Sequence, residues 1–216
     1  MGVKMSKNFV KAGMFIVAVS IALLQLGCEK SVVKTGFLSD YDKLETKSAS
    51  SLQYVNNRVL DRYSRFIVDP VNVRFQADSQ AVKSQEEGKL SQSQIDDMTE
   101  YMHDSIVAAV MRSGNVVVNK SGPGIARIRS AFTDIDKSYL VSYFPLTKMT
   151  GTGVGGASLE AEIVDSLTGE QIGAIVESQQ GSTEPFDGLG DWDAAKQVMD
   201  EWSRRFEMRL SQTRKY

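Results

Sequence analysis

The chain has 216 residues, of which 42% are hydrophobic and 24% are charged, and its formal net charge is -2. These values are ordinary for a globular domain with a core of useful size, and the mild acidity argues against a general nucleic-acid binder, which needs a basic face. The single cysteine excludes an internal disulfide and a zinc or iron–sulfur cluster built from thiolates.

The first 27 residues have the organisation of an export signal. Three lysines precede a run of 15 mostly apolar residues, from Ala12 to Leu26. A bilayer span needs about 20 such residues, so the run is short for a membrane helix and matches the apolar part of a signal peptide. An uncleaved N-terminal anchor helix is the alternative interpretation.

The apolar run ends at Gly27 and Cys28, which resemble the site where bacterial lipoproteins are lipidated and cut. A small residue precedes the cysteine as in that motif, whereas Gln25 stands where leucine is usual. The resemblance implies a diacylglycerol on the Cys28 thiol and cleavage before it. Two or three acyl chains would hold the protein on a membrane essentially permanently, although one binds only reversibly. Glu29 replaces the aspartate that signals inner-membrane retention, so we expect an outer-membrane, periplasm-facing protein.

The segment that follows the cysteine has no regular apolar pattern. We expect residues 28–63 to form a lipidated tether and an irregular N-terminal segment with short turns. Residues 65–75 are rich in β-branched and aromatic residues, and apolar and polar residues alternate from Val71 to Phe75, which predicts a half-buried strand. Pro70 cannot donate a hydrogen bond to a sheet, so it marks an edge or a bulge.

The clearest predicted element is a helix that begins after Ser91. Ser91 and Gln94 have the spacing of a capping box, and Leu90 and Ile95 have that of a hydrophobic staple. The pattern predicts a helix with one face on a core, ended by Gly114. Its apolar stripe consists of Ile95, Met98, Met102, Ile106, Ala109 and Val110.

Four strands and a second helix are predicted in the rest of the chain. Residues 116–118 and 125–135 predict two strands, and residues 157–165 and 170–178 alternate as an antiparallel hairpin does. Asp191 can cap the last helix. The apolar stripe of that helix consists of Trp192, Ala195, Met199, Trp202, Phe206 and Leu210.

The order of these elements predicts an α+β fold. Each helix has one apolar stripe, and the strands after residue 125 each have one apolar face. Joining these surfaces gives a two-layer sandwich, a largely antiparallel sheet with two amphipathic helices on one face. We therefore divide the chain into a signal peptide (1–27), the tether and irregular segment (28–63) and a single α+β domain (64–216).

We find no catalytic, metal or cofactor site in the residue pattern. His103 is the only histidine; it lies beside the apolar stripe, and no Gly-x-Ser-x-Gly elbow accompanies it, so we interpret it as a helix-flank residue. Glu160 and Glu162 point to one face of a strand, and so do Asp134 and Asp136. Paired carboxylates can do acid–base work when one of them is desolvated. We expect both pairs to lie on a solvated sheet face instead.

The glycine-rich stretch at 151–156 superficially resembles a phosphate loop. The segment after it predicts a strand, whereas a dinucleotide site needs a helix N-terminus there, so we interpret the stretch as a flexible loop that could act as a binding flap. The aromatic run at 139–144 before it is either a buried element or an exposed contact patch. The candidate contact surface consists of Tyr139, Leu140, Tyr143, Phe144 and Gly153.

Several stretches together resemble an uncharacterised proteobacterial lipoprotein family, domain of unknown function 3313. The likeness covers nearly all of the mature chain, including the last helix around Trp192 and Trp202. The family implies an envelope lipoprotein with an α+β domain, and it supplies no catalytic residues. The stretches that carry the likeness are the export segment with Cys28, Gly36–Tyr41, Val68–Val71 and Ala161–Glu170.

We expect a non-enzymatic domain that is tethered to a membrane through lipid on Cys28. It would bind an envelope protein, peptidoglycan or a lipid, with no cofactor, no metal and no nucleic acid. An accessory lipoprotein of an envelope transport system is a related alternative that rests on fold-level analogy. The rival class is a carboxylate-dependent hydrolase, which requires Glu160 or Glu162 in a concave pocket beside another acid.

Overall fold

The computed structural model describes residues 32–136, 155–181 and 192–212. Within these ranges the chain forms eight strands and four helices, and the predicted α+β class is confirmed. The strands are β1 (Glu45–Ser48), β2 (Ser51–Val55), β3 (Arg65–Val68), β4 (Asn72–Val73), β5 (Val116–Val117), β6 (Ile125–Asp136), β7 (Gly156–Asp165) and β8 (Gln171–Gln180). The helices are α1 (Asn57–Leu60), α2 (Gln80–Glu86), α3 (Gln92–Arg112) and α4 (Asp193–Gln212).

The strands form one open, mixed sheet. Its order is β1-β2-β8-β7-β6-β3-β5, and the short β4 pairs with β6. The strands from β1 to β6 in this order are antiparallel, whereas β3 runs parallel to both β6 and β5. The predicted hairpin is present as β7 and β8, and Gly169 in its turn has a φ of +74°, a conformation that favours glycine.

Helices α3 and α4 cover one face of the sheet, which we call the front face. On β7 this face carries Leu159, Ala161 and Ile163. The six buried apolar residues of α3 are the six that were predicted, and the capping box at its start is formed. The main core lies between these helices and the sheet, and its fully buried members include Phe66, Phe132 and Met199.

The opposite face of the sheet, the back face, is covered by residues 32–44, which we call the N-terminal strap. Phe37 and Leu38 of the strap are buried against Ala131, Ala174 and Val176. The central strands are therefore enclosed on both sides. The sheet has a helical layer on its front and an irregular layer on its back.

The expectation of an irregular segment up to residue 63 is wrong for residues 45–60. β2 is hydrogen-bonded along its length to β8, so the sheet includes residues before position 64. β1 has no apolar periodicity because all four of its residues are exposed at the sheet edge. Pro70 separates β3 from β4, so the single strand predicted between Arg65 and Phe75 is divided in two.

Several predictions fall outside the described residues. These are Cys28 and the signal segment, the helix cap at Asp191, and the contact surface formed by Tyr139, Leu140, Tyr143, Phe144 and Gly153. Among the residues that are described, no helix combines the length and the apolar character needed to cross a bilayer.

The turn between β7 and β8 contains a carboxylate that couples stability to pH. Asp165 accepts hydrogen bonds from the backbone N–H groups of Thr168 (2.8 Å) and Leu167 (2.9 Å) and from the Tyr63 hydroxyl (2.7 Å). These bonds, that of Thr168 first, lower the pKa of Asp165 from 3.8 to about 2. Because the folded-state pKa lies below the unfolded one, the stabilisation is complete above about pH 4 and is lost as the pH falls towards 2.

We expect the urea midpoint of the wild type to fall more steeply between about pH 4 and pH 2 than that of Asp165→Asn. Asparagine keeps an acceptor for Tyr63 and does not titrate, so the difference between the two slopes reports this carboxylate. Asp78→Asn, at an exposed position, is the matched control and should keep the wild-type slope. Equal slopes for Asp165→Asn and the wild type would contradict the prediction.

Candidate functional site

The carboxylates of Glu160 and Glu162 lie under the N-terminal strap, on the back face of β7. The two residues are only 0% and 1% exposed, so the prediction of a solvated face is wrong for this pair. It is also wrong for Asp134, which is buried and accepts a hydrogen bond of 2.9 Å from the Ala81 N–H. Asp136 is half-buried. The alternation of apolar and acidic residues along β7 was predicted correctly, but the N-terminal strap covers the face that carries Glu160 and Glu162.

Glu160 binds two residues of the strap. Its Oε1 accepts a hydrogen bond of 2.6 Å from the Thr35 N–H, and its Oε2 accepts bonds from the Thr35 hydroxyl (3.0 Å) and the Tyr41 hydroxyl (2.6 Å). Burial, followed by the bond to Glu160, raises the pKa of Tyr41, so the phenol stays protonated and remains a donor. Tyr41 in turn accepts the N–H groups of Gly36 and Leu38, which fixes the turn of the strap.

Glu162 holds the next part of the strap. Its Oε2 accepts hydrogen bonds from the Ser39 N–H (2.9 Å), the Ser39 hydroxyl (2.7 Å) and the Gln171 side-chain amide (2.9 Å). Arg129 forms an ion pair with the other oxygen, with 2.9 Å between Nη1 and Oε1. The same guanidinium lies 5.4 Å from the centre of the Phe37 ring, so Arg129 contacts both the carboxylate and the strap.

We call Glu160 and Glu162 the carboxylate clamp, because both side chains are used to bind the strap. A carboxylate can accept about four hydrogen bonds. The Glu160 and Glu162 carboxylates accept three each, and Glu162 also forms an ion pair. A general acid or base must reach a proton on its substrate. Five of these six hydrogen bonds come from the strap, the sixth comes from Gln171 of β8, and Arg129 of β6 pairs with the other oxygen of Glu162. With their oxygens engaged in this way, the two carboxylates are better suited to binding the strap than to acid–base chemistry.

A cavity of about 350 Å³ lies on the front face, between α4 and strands β2, β8 and β7. Helix α4 packs on β7 and β8, and the sheet continues beyond β8 to β2. Most of its lining is apolar, and small side chains leave space on the strand side. Representative lining residues are Val55, Met102, Ala161, Ile175, Trp202 and Phe206.

The same cavity has a few polar groups on its α4 side. Trp202 and Ser203 are 5% and 3% exposed, and neither the Trp202 Nε1 nor the Ser203 Oγ has a hydrogen-bond partner among the described residues. Arg205 pairs with the buried Glu177, at 2.6 Å between Nη2 and Oε1. Arg209 is exposed at the lining and has no ion-pair partner in the described ranges.

His103, the remaining candidate within the described ranges, joins neither site. His103 lies on the flank of α3 with a one-third exposed side chain, and its Nδ1 is 3.2 Å from Asp104 Oδ1. Across the described ranges, no three His, Cys, Asp or Glu side chains are grouped to hold a metal ion. The packing of the strap on the sheet was not predicted from the sequence. Phe37 and Leu38 are an apolar pair in a polar segment, and such a pair indicates that another surface covers it. No sequence signal identified the cavity.

The sequence of the chain matches the family described as "Protein of unknown function (DUF3313)" over residues 33–206. The chain belongs to this family. The matched range begins in the strap and ends within α4, so it includes the carboxylate clamp and nearly all of the cavity lining. The resemblance to domain of unknown function 3313 that the sequence predicted is confirmed.

The chain is also similar to two solved structures of PelC dodecamers from Paraburkholderia phytofirmans, in space groups C2 and P6. The first is 9% identical with a TM-score of 0.44, and the second is 10% identical with a TM-score of 0.46. Each match covers 73% of this chain and 96% of the PelC chain. No curated protein matches the chain in sequence.

Proposed function

We propose that this protein is a lipid-anchored outer-membrane protein, with its lipid on Cys28 and a periplasm-facing, non-enzymatic binding domain. The observation that carries the proposal is the carboxylate clamp. It fastens the chain at Thr35, seven residues after Cys28, and seven residues span at most about 25 Å. A lipid on Cys28 would therefore hold the domain close to the bilayer rather than on a long, loose tether.

The occupied carboxylates support a binding domain over a hydrolase. Glu160 and Glu162 were the residues on which a hydrolase depended. Their hydrogen bonds are made to the strap, apart from one between Glu162 and Gln171 of β8. The front-face cavity, on the side opposite to the strap, gives the domain a concave surface. We propose that its partner is a component of the envelope: a protein, peptidoglycan or a lipid.

The proposal is tested on the full chain with Cys28→Ala. In cells fed a palmitate analogue, we expect the wild type to be labelled and recovered in the outer-membrane fraction. We expect Cys28→Ala to lose the label and to keep its signal segment, because both modification and cleavage need the thiol. Ser31→Ala, a substitution three residues away, should behave as the wild type. Intact-mass measurement of an unmodified Cys28, or of a mature chain that starts at Met1, would overturn the proposal.

A further inference from the structure

We propose that the front-face cavity binds one acyl chain of an anionic membrane phospholipid. The choice of a phospholipid rests on the proposed function, because the anchor would bring the cavity to a bilayer. The site itself is argued from the cavity alone, from its lining, its buried polar groups and the charge at its opening.

The size and lining of the cavity fit a single hydrocarbon chain. A volume of about 350 Å³ is within the range of small-molecule sites, which are mostly apolar with a few placed polar groups. The walls combine aliphatic strand residues with Met102, Trp202 and Phe206. A glycan would lose its hydrogen bonds to water against these walls, and a peptide would bring backbone N–H and C=O groups that need partners.

Two buried polar groups define where a polar part of the ligand would lie. The Trp202 indole N–H can only donate, and the Ser203 hydroxyl can donate or accept. Both residues line the cavity, are more than nine-tenths buried and have no hydrogen-bond partner in the described part of the chain. A buried donor without an acceptor is costly, and the ester carbonyl of a phospholipid chain is an acceptor of the required kind.

The charge at the opening favours an anionic head group. Met208, Arg209 and Gln212 are the exposed residues of the lining, and they mark where the cavity opens. Arg205 is already paired with Glu177 and Glu201, whereas Arg209 has no ion-pair partner among the described residues. The charge of Arg209 is therefore available to a phosphate at the opening.

The experiment uses Trp202 as a reporter in the full-length protein, reconstituted in phosphatidylglycerol vesicles. The chain has two tryptophans, so Trp192→Phe leaves Trp202 alone. Bromine on the lipid chains quenches an indole on contact, and we expect strong quenching in this background. Ala161→Phe fills the cavity and should reduce the quenching at least threefold. Ala77→Phe, the same change at an exposed site, should leave it unchanged.

A second pair of variants tests the head group without disturbing the core. The preference for the anionic lipid is measured as the ratio of quenching by brominated phosphatidylglycerol to quenching by brominated phosphatidylcholine. We expect Arg209→Gln to reduce this ratio several-fold. Arg204→Gln lies on the same helix outside the lining, and it should retain the preference. Loss of the preference in both variants, or in neither, would overturn the assignment of Arg209.

The outcomes separate this proposal from the proposed function. The mass of each preparation first shows whether Cys28 carries lipid. An absence of quenching in a correctly lipidated protein overturns the acyl-chain site and leaves the anchor standing. Equal quenching in Ala161→Phe and Ala77→Phe also overturns it, because the contact would then be made outside the cavity. Quenching that Ala161→Phe removes supports the site even if Cys28 proves unmodified.

Discussion

Replacing Glu162 with alanine is expected to lower the free energy of unfolding by about 3–5 kcal/mol. Glu162 is 1% exposed, and the change leaves Ser39, Gln171 and Arg129 without their shared acceptor. Loss of several hydrogen bonds to a buried carboxylate has an effect of this size, whereas the ion pair with Arg129, whose side chain is 37% exposed, adds little. The loss is measured by urea denaturation at pH 7. Limited proteolysis should at the same time cut the strap, which the wild type protects.

Two variants calibrate this result. Glu207→Ala removes the exposed ion pair with Arg112, and we expect it to cost less than about 1 kcal/mol. Glu162→Gln keeps one acceptor oxygen for Ser39 and should fall between the two alanine variants. A loss below about 1 kcal/mol for Glu162→Ala, with the strap still protected from protease, would mean that the clamp does not hold it.

Phe132→Ala is expected to cost about 3–5 kcal/mol, because it opens a hole in the main core that the surroundings fill only in part. Phe132 is 0% exposed on β6, which lies between β7 and β3 in the sheet. Met111→Ala removes a 60% exposed side chain and should change stability by no more than about 0.5 kcal/mol. Thermal and urea denaturation compare the two. Similar losses for both would contradict the burial of Phe132.

Helices α3 and α4 and the hairpin were predictable because their signals are local. The capping box at Ser91 and the apolar stripe of α3 lie within 21 residues of sequence, and side-chain periodicity reports which face is covered. Alternation likewise located β7 and β8. β1 was not predicted, because an exposed edge strand needs no apolar side chains and its pairing with β2 is made by the backbone.

The burial of Glu160 and Glu162 was not predictable in the same way. Alternation within β7 separates apolar from acidic residues, but it does not say what covers the acidic face. The cover comes from Thr35 and Tyr41, which lie 125 and 119 residues away from Glu160 in sequence. The cavity depends on the relative positions of α4 and β2, which are also set by long-range contacts.

The long separation between the strap and β7 has a consequence for biosynthesis. The chain emerges from the ribosome with its N-terminus first, so Thr35 is synthesised well before Glu160, its partner 125 residues later. Contacts across such a separation form late, because closing a large loop carries an entropy cost that local structure does not. The N-terminal strap therefore cannot bind the carboxylate clamp until β7, in the last third of the polypeptide, has been synthesised.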